Sequence, residues 1–299
     1  MLIGCVPART HADKEMEQCM VAQFSLSQNQ PRATTESAVT LIGKSYTDER
    51  GQQTFQIMRE LSRTLAQQPD QTVLGIPQAL FYDPGLRLLA QQRVAGVPYR
   101  ELIDRPDLPS YLRLAGKALS TLHSQTMAVG REVWLSDHLA DLVAPHPRAL
   151  CEQLPEYRAR VEALVEAMQD KERALRPQIA VGPIHRDFHL RKLLYAQGRA
   201  WLVDWDLFAR GDAALDLGSF IAHLQLQLSS QHRHALGAFI DGYFENRPLM
   251  LLERVPLYAA FTYLKLACQR LAQRDARWED QARDLLQRSE TCLMTNAIV

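Results

Sequence analysis

The chain has 299 residues, enough for one large core or two modest ones, and its 34 Lys and Arg are balanced by 34 Asp and Glu. That neutrality leaves no long-range field to recruit nucleic acid or an anionic membrane surface, so neither is expected as a partner. Cys5, Cys19, Cys151, Cys268 and Cys292 are scattered with no C-x-x-C pair, against a disulfide framework or zinc knuckle, and the opening MLIGCVPAR is too short for a signal peptide; with no window of membrane-spanning length, a cytoplasmic protein is expected.

The first hundred residues carry short β-like runs around one helix. CMVAQFSL (19–26) and SAVTLIGKSY (37–46), rich in β-branched and aromatic residues beside polar turn material, predict two strands. DERG (48–51) breaks the pattern. Phe55, Ile57, Met58, Leu61 and Leu65 then recur at helical spacing and predict an amphipathic helix from Thr54 to about Gln67. IPQALFYD (76–83) and LRLLAQQRV (86–94) predict two more strands around a turn at Pro84 and Gly85.

AGVPYRELI (95–103) reads as a connector, and the chain beyond it is mainly helical. Leu112, Ala115, Leu119 and Leu122 mark one helix; Tyr157, Val161, Leu164, Val165 and Met168 mark another. Two short strands, LLYA (193–196) and AWLVDW (200–205), turn at Gly198, and helices resume from Asp216. The expected class is α+β in two lobes, a β-rich one over residues 1–94 and a helical one over 95–299.

The stretch IHRDFHLRKLL (184–194) admits three readings. His185, Asp187 and His189 could ligate a transition metal, although Pro183 and the flanking strands point to a loop rather than the helix that usually aligns such ligands. They could be structural, with His185 a hydrogen-bonded core group and Asp187 a turn residue. The third reading joins the loop to WLVDWD, where Asp204 follows Asp187 by 17 residues (204 − 187) on a hydrophobic strand. A carboxylate on a loop and a second delivered by a hairpin suit phosphoryl transfer from a nucleotide. Asp206 shares a strand face with Asp204 by alternation and could join it on one metal; it could equally cap the turn into LFARGD.

IHRDFHLRKLL resembles the H-x-D-x-H catalytic loop of the aminoglycoside phosphotransferase-like family and shares the H-R-D of protein kinases. LVDWD resembles that family's metal-binding segment, RGDAALDLGSFIAHL (210–224) its following G-D-P-x-x-D-L signature, and ALSTLH (118–123) the helix before the loop, with His123 structural. The resemblance runs from about residue 37 to 225. It implies a bilobal protein-kinase-like fold and an ATP- and Mg²⁺-dependent phosphotransferase acting on a hydroxyl of a small polar acceptor, such as a sugar, an aminoglycoside or an amino alcohol. In that scheme Asp187 orients the acceptor hydroxyl, and Lys44 contacts the nucleotide phosphates with Glu60 as its ion-pair partner. Asp204, with Asp206, holds Mg²⁺, and backbone groups around Gln92 to Val94 read the adenine. His185 braces the loop, His189 lines the substrate side, and Asp216 is a buried brace rather than a catalyst.

Two departures accompany the match. Lys192 stands where the kinase pattern has a metal-binding Asn, and an ammonium offers no lone pair to a metal. It either supplies positive charge to the phosphates or marks a pseudokinase that binds nucleotide or serves as a scaffold. MVAQFSLSQNQPRATTESAV, before Lys44, contains no glycine for a phosphate-covering loop. The acceptor side is expected from the helices after residue 225, which contain Tyr243, Glu245, Tyr258, Tyr263 and Trp278, the aromatics reading mostly as core. The last third has no dense acidic run, which favours a sugar or other polyol over a cationic aminoglycoside.

Overall fold

The computed structural model describes residues 4–6, 19–26, 39–67, 73–228 and 234–297, with side chains from residue 41 onward. The glycine-free segment 27–38 and the side chains of Cys5 and Cys19 therefore lie outside the described residues. Strands β1 (Gly4–Val6), β2 (Cys19–Leu26) and β3 (Val39–Tyr46) lead into helix α1 (Arg50–Ala66), which is followed by β4 (Leu74–Gly75), β5 (Ala79–Asp83) and β6 (Leu88–Gln92). Five of these strands form one antiparallel sheet in the order β1-β2-β3-β6-β5. Lys44 lies on its central strand, opposite Val21 on one side and Leu89 on the other.

Helix α1 begins at Arg50, four residues before the expected start, so DERG opens the helix instead of breaking the pattern. The Asp48 carboxylate accepts from the Arg50 backbone N–H at 3.0 Å and satisfies a donor that the first turn would otherwise leave unpaired. Thr54, Ile57, Met58, Leu61 and Leu65 form the buried stripe that packs α1 on the sheet.

The presumed connector holds a short strand, β7 (Val97–Pro98), and then helices α2 (Leu108–His123), α3 (Leu135–Leu142), α4 (Pro147–Gln153) and α5 (Arg158–Leu175) follow. Strands β8 (Val181–Ile184), β9 (Leu193–Ala196), β10 (Arg199–Leu202) and β11 (Ala209–Asp212) precede α6 (Ala214–Gln227), α7 (His234–Phe244), α8 (Val255–Gln273) and α9 (Trp278–Thr295). The hairpin β9–β10 turns through Gln197 at φ 53° and Gly198 at φ 71°, two consecutive positive values of the kind a tight hairpin needs. It forms a second sheet in the order β4-β10-β9-β7, while β8 and β11 pair antiparallel as a third. Because β8 and β11 pair, the loop after β8 and the segment before β11 are drawn together at one place.

Helix α8 is buried on nearly every side, with Tyr258 and Tyr263 in the core, and α7 buries Tyr243. Glu245 instead faces outward and pairs with Lys117 at 2.6 Å, and Trp278 is half-buried. Gly218 lets α6 approach α8 closely: a Cβ there would stand 2.7 Å from the Ala259 amide nitrogen and 2.8 Å from the Tyr258 carbonyl carbon. Backbone atoms cannot rotate away, so Gly218→Ala is expected to cost about 1–3 kcal/mol. A thermal melt should show Tm lowered by roughly 2–4 °C per kcal/mol lost; an unchanged Tm would mean that the two helices separate at no cost.

Candidate active site

The loop after β8 is built around Asp216, in the first turn of α6. Its carboxylate is fully buried and accepts from the backbone N–H of His185 at 2.7 Å and of Arg186 at 2.8 Å, and from His123 Nε2 at 3.0 Å. His123 Nδ1 in turn meets the Tyr243 hydroxyl at 2.8 Å. These bonds hold Arg186 at φ 69°, a left-handed conformation that a non-glycine residue adopts at a cost. The Arg186 guanidinium is buried and anchored by Asp141 Oδ2 at 2.7 Å and His138 Nδ1 at 3.2 Å.

Both nitrogens of His185 are committed. Nε2 donates to the Val203 carbonyl at 3.1 Å and Nδ1 accepts from the Asp187 N–H at 3.3 Å. The transition-metal reading of the loop therefore loses one of its ligands, and burial keeps this imidazole below its ordinary pKa, hence neutral. His189 Nδ1 accepts from the Arg191 N–H at 3.2 Å and starts the 3-10 turn Leu190–Lys192, which carries the Lys192 ammonium back toward Asp187.

The second acidic segment is positioned differently from the sequence expectation. β10 ends at Leu202, and Asp204 is left-handed at φ 71°, ψ 71°, ahead of the 3-10 turn Trp205–Leu207. Strand alternation therefore does not align Asp204 with Asp206. The reversal at Asp204 and the tight turn do so, and both carboxylates meet Lys44. The Lys44 ammonium lies 2.8 Å from Asp204 Oδ1 and also contacts Asp206. Asp206 further accepts from the Tyr46 hydroxyl at 2.8 Å and from Thr54 Oγ1 at 3.3 Å.

From Asp204 the charges continue. Lys192 Nζ contacts Asp204 Oδ2 and lies 3.1 Å from Asp187 Oδ2; Lys265, on α8, places Nζ 3.6 Å from Asp187 Oδ1. Three carboxylates and three ammoniums thus alternate as Asp206, Lys44, Asp204, Lys192, Asp187 and Lys265. For Asp187, Asp204, Lys44 and Lys192 burial disfavours the charge and the neighbours reverse that. Asp187 is held well below the usual carboxylate range because Lys265, His189 and Lys192 outweigh its desolvation. Lys44 and Lys192 together lower Asp204 in the same way, and Asp204 raises both lysines.

Glu60 is not part of this array. It bonds Arg63 one turn along α1, at 2.7 Å, and lies off the buried stripe, so the expected Lys44–Glu60 pair does not form. α1 has no other acid, and its contribution to the cluster is Thr54. At the expected adenine edge the Gln92 N–H is already donated to the Gln78 carbonyl at 2.9 Å, and Val94 is half-buried. Lys265 and Arg186 were not recognised from the sequence as site residues; Lys265 is the single lysine of a largely apolar helix.

Among the described residues no group of three or more His, Cys, Asp or Glu side chains is gathered to hold a metal ion. Asp204 and Asp206, already sharing one cation, still fit Mg²⁺, which keeps several waters and takes one or two carboxylates plus substrate phosphates.

An α+β chain with its acidic residues arranged in this way has the fold of kinase-like small-molecule phosphotransferases. The model of the phosphotransferase enzyme family matches residues 26–252, and the chain belongs to that family. No curated protein matches it by sequence. Among solved structures it is similar to amicoumacin kinase hAmiN in complex with AMP-PNP, Ca²⁺ and Ami, at 14% identity and TM-score 0.64 over 99% of this chain and 89% of that one. It is similar also to choline kinase LicA from Streptococcus pneumoniae, at 13% identity and TM-score 0.62 over 99% and 95% of the two chains. A choline/ethanolamine kinase family protein from Mesorhizobium loti gives 17% identity and TM-score 0.60 over 86% and 84%.

Two substitutions test this arrangement. Asp216→Ala removes the acceptor for two backbone N–H groups and should lower Tm on the order of 10 °C. Glu60→Ala should leave both Tm and nucleotide affinity unchanged, whereas loss of nucleotide binding in that variant would restore Glu60 to the site.

Proposed function

We propose that the chain is an ATP- and Mg²⁺-dependent phosphotransferase that transfers a phosphoryl group to a hydroxyl of a small polar acceptor, with residues 1–94 forming the nucleotide lobe and 95–299 the catalytic lobe. The observation that carries this reading is the meeting of Asp187, Asp204, Asp206 and Lys44, residues from three separate segments, in one ion-pair array. The AMP-PNP and Ca²⁺ bound to the similar amicoumacin kinase support a nucleotide and a divalent cation here.

In this mechanism Lys44 moves its contacts from the carboxylates to the nucleotide phosphates, and Asp204 and Asp206 would hold the cation. Mg²⁺, when bound, neutralises phosphate charge. Asp187 accepts a hydrogen bond from the acceptor hydroxyl and aims its oxygen at the γ-phosphorus. The new O–P bond forms as the β–γ bridging P–O bond breaks; ADP leaves with the electron pair, and the acceptor proton passes by way of Asp187 to solvent. Asp187 is a weak base because of its depressed pKa, so its principal work is orientation. Lys192 supplies charge toward the phosphates where the kinase pattern has a second metal ligand. His185 and Asp216 keep the loop in shape, His189 faces the acceptor side, and Val94 lies at the adenine edge.

A screen of hydroxyl compounds for ATP-dependent phosphorylation, with the Asp204→Ala protein as blank, tests this reading. Asp187→Asn should bind nucleotide as the wild type does and lose roughly 10²–10⁴-fold in transfer. Nucleotide binding without turnover on any acceptor would instead favour a pseudokinase, with Lys192 as a permanent occupant of the metal position.

A further inference from the structure

The acceptor side of Asp187 carries charge that the phosphate-binding half does not use. Lys265 is 6% exposed. Among the described residues Asp187 is its one carboxylate neighbour, and at 3.6 Å the contact is an ion pair without a hydrogen bond. Burying an ammonium is costly unless its donors are satisfied, and this one donates to no described residue. His223, on α6, stands beside His189: the ring centroids are 4.8 Å apart, and the His223 Nε2 is buried with no hydrogen-bond partner among the described residues. His189 in turn places Nε2 3.5 Å from Asp187 Oδ2. Lys265 and His223 sense each other electrically, since Lys265 helps to depress the His223 pKa after burial and His189. The close packing of α6 on α8 at Gly218 explains how residues from these two helices come to flank one loop.

An acceptor whose hydroxyl reaches Asp187 would meet the Lys265 ammonium, whose donors no described residue accepts, and the His223 Nε2, which has no hydrogen-bond partner among the described residues. An amine there would meet like charge; an oxyanion would satisfy both donors. Resting on the phosphotransferase reading above, we infer that the acceptor is a hydroxyl compound bearing an anionic group, a carboxylate or a phosphate, which Lys265 and His223 receive beside Asp187. Lys265 is then a specificity-determining residue: it selects the acceptor's charge. Choline and ethanolamine, by contrast, present a positive charge at that position.

The test uses the full chain and acceptors matched in size and differing in charge: glycerate and glycerol 3-phosphate as the two anionic sources, glycerol as neutral, and ethanolamine and choline as cations. Binding to wild type, Lys265→Met and Lys265→Arg is measured calorimetrically with AMP-PNP and Mg²⁺ present, and phosphorylation with ATP. The anionic compounds, or one of them, should bind the wild type about tenfold or more tightly than glycerol. That preference should collapse toward unity in Lys265→Met and persist in Lys265→Arg, with circular dichroism confirming that both fold. Comparing glycerate with glycerol 3-phosphate tells which anion fits. Preference for the cations, equal affinity for charged and neutral compounds, or an unchanged anion preference in Lys265→Met would each overturn the inference. If Lys265 only neutralises Asp187, the methionine variant will lower transfer to every acceptor by the same factor, which also overturns it. The two readings fail separately: phosphorylation of ethanolamine or choline in preference to the anions keeps the phosphotransferase and removes the anion site. Lys265-dependent anion binding, measured also without nucleotide, by a chain that binds no nucleotide does the reverse.

Discussion

The site depends on the mutual neutralisation of buried charge. Burial opposes the charge on each of Asp187, Asp204 and Lys44, and oppositely charged neighbours offset it. Arranged in alternation, they stabilise one another, and the array spans elements far apart in sequence: β3, the loop after β8, the turn after β10 and α8. It therefore acts as both a structural tie and a store of aligned electrostatics. Under the proposed function a nucleotide with its cation would replace partners within the array, and the lysines that neutralise carboxylates in its absence would turn to phosphate oxygens.

The array is held in place by buried residues around the loop after β8. Asp216 anchors the strained backbone at Arg186, His123 and Tyr243 orient Asp216, and Asp141 and His138 secure the Arg186 side chain. The pairing of β8 with β11 fixes where the loop begins and where the acidic segment ends. Asp187 is thus placed by a rigid frame even though it lies on a loop, and a carboxylate used for orientation needs that rigidity.

Much of this was legible in the sequence where a physical signal was local. Helical periodicity located α2 and α5, and alternation with a glycine turn located β9 and β10. The order of His185, Asp187, Asp204 and Asp216 carried the family resemblance. Where placement depended on rotation or on distant contacts, the sequence was silent or misleading. Glu60 has the right separation from Lys44 but adjoins Leu61 of the buried stripe, so it projects about 100° away from it. VGPI and ARGD have no alternating apolar pattern, and each becomes a strand only because the other pairs with it. Asp206 and Asp204 are brought to the one Lys44 ammonium by a left-handed residue and a 3-10 turn, not by the strand alternation expected from the sequence. Lys265 shows no local signal at all; its meaning appears only when α8 packs beside the loop.

Calorimetric titration of ATP into the intact wild-type protein, with and without Mg²⁺, tests the central claim most directly. If the array is a nucleotide–metal site awaiting its ligands, binding will be saturable, will tighten when Mg²⁺ is added, and will weaken when Lys44 is replaced by methionine. A folded protein that takes up no nucleotide under either condition, or binds it equally well without the cation and without Lys44, would contradict the account.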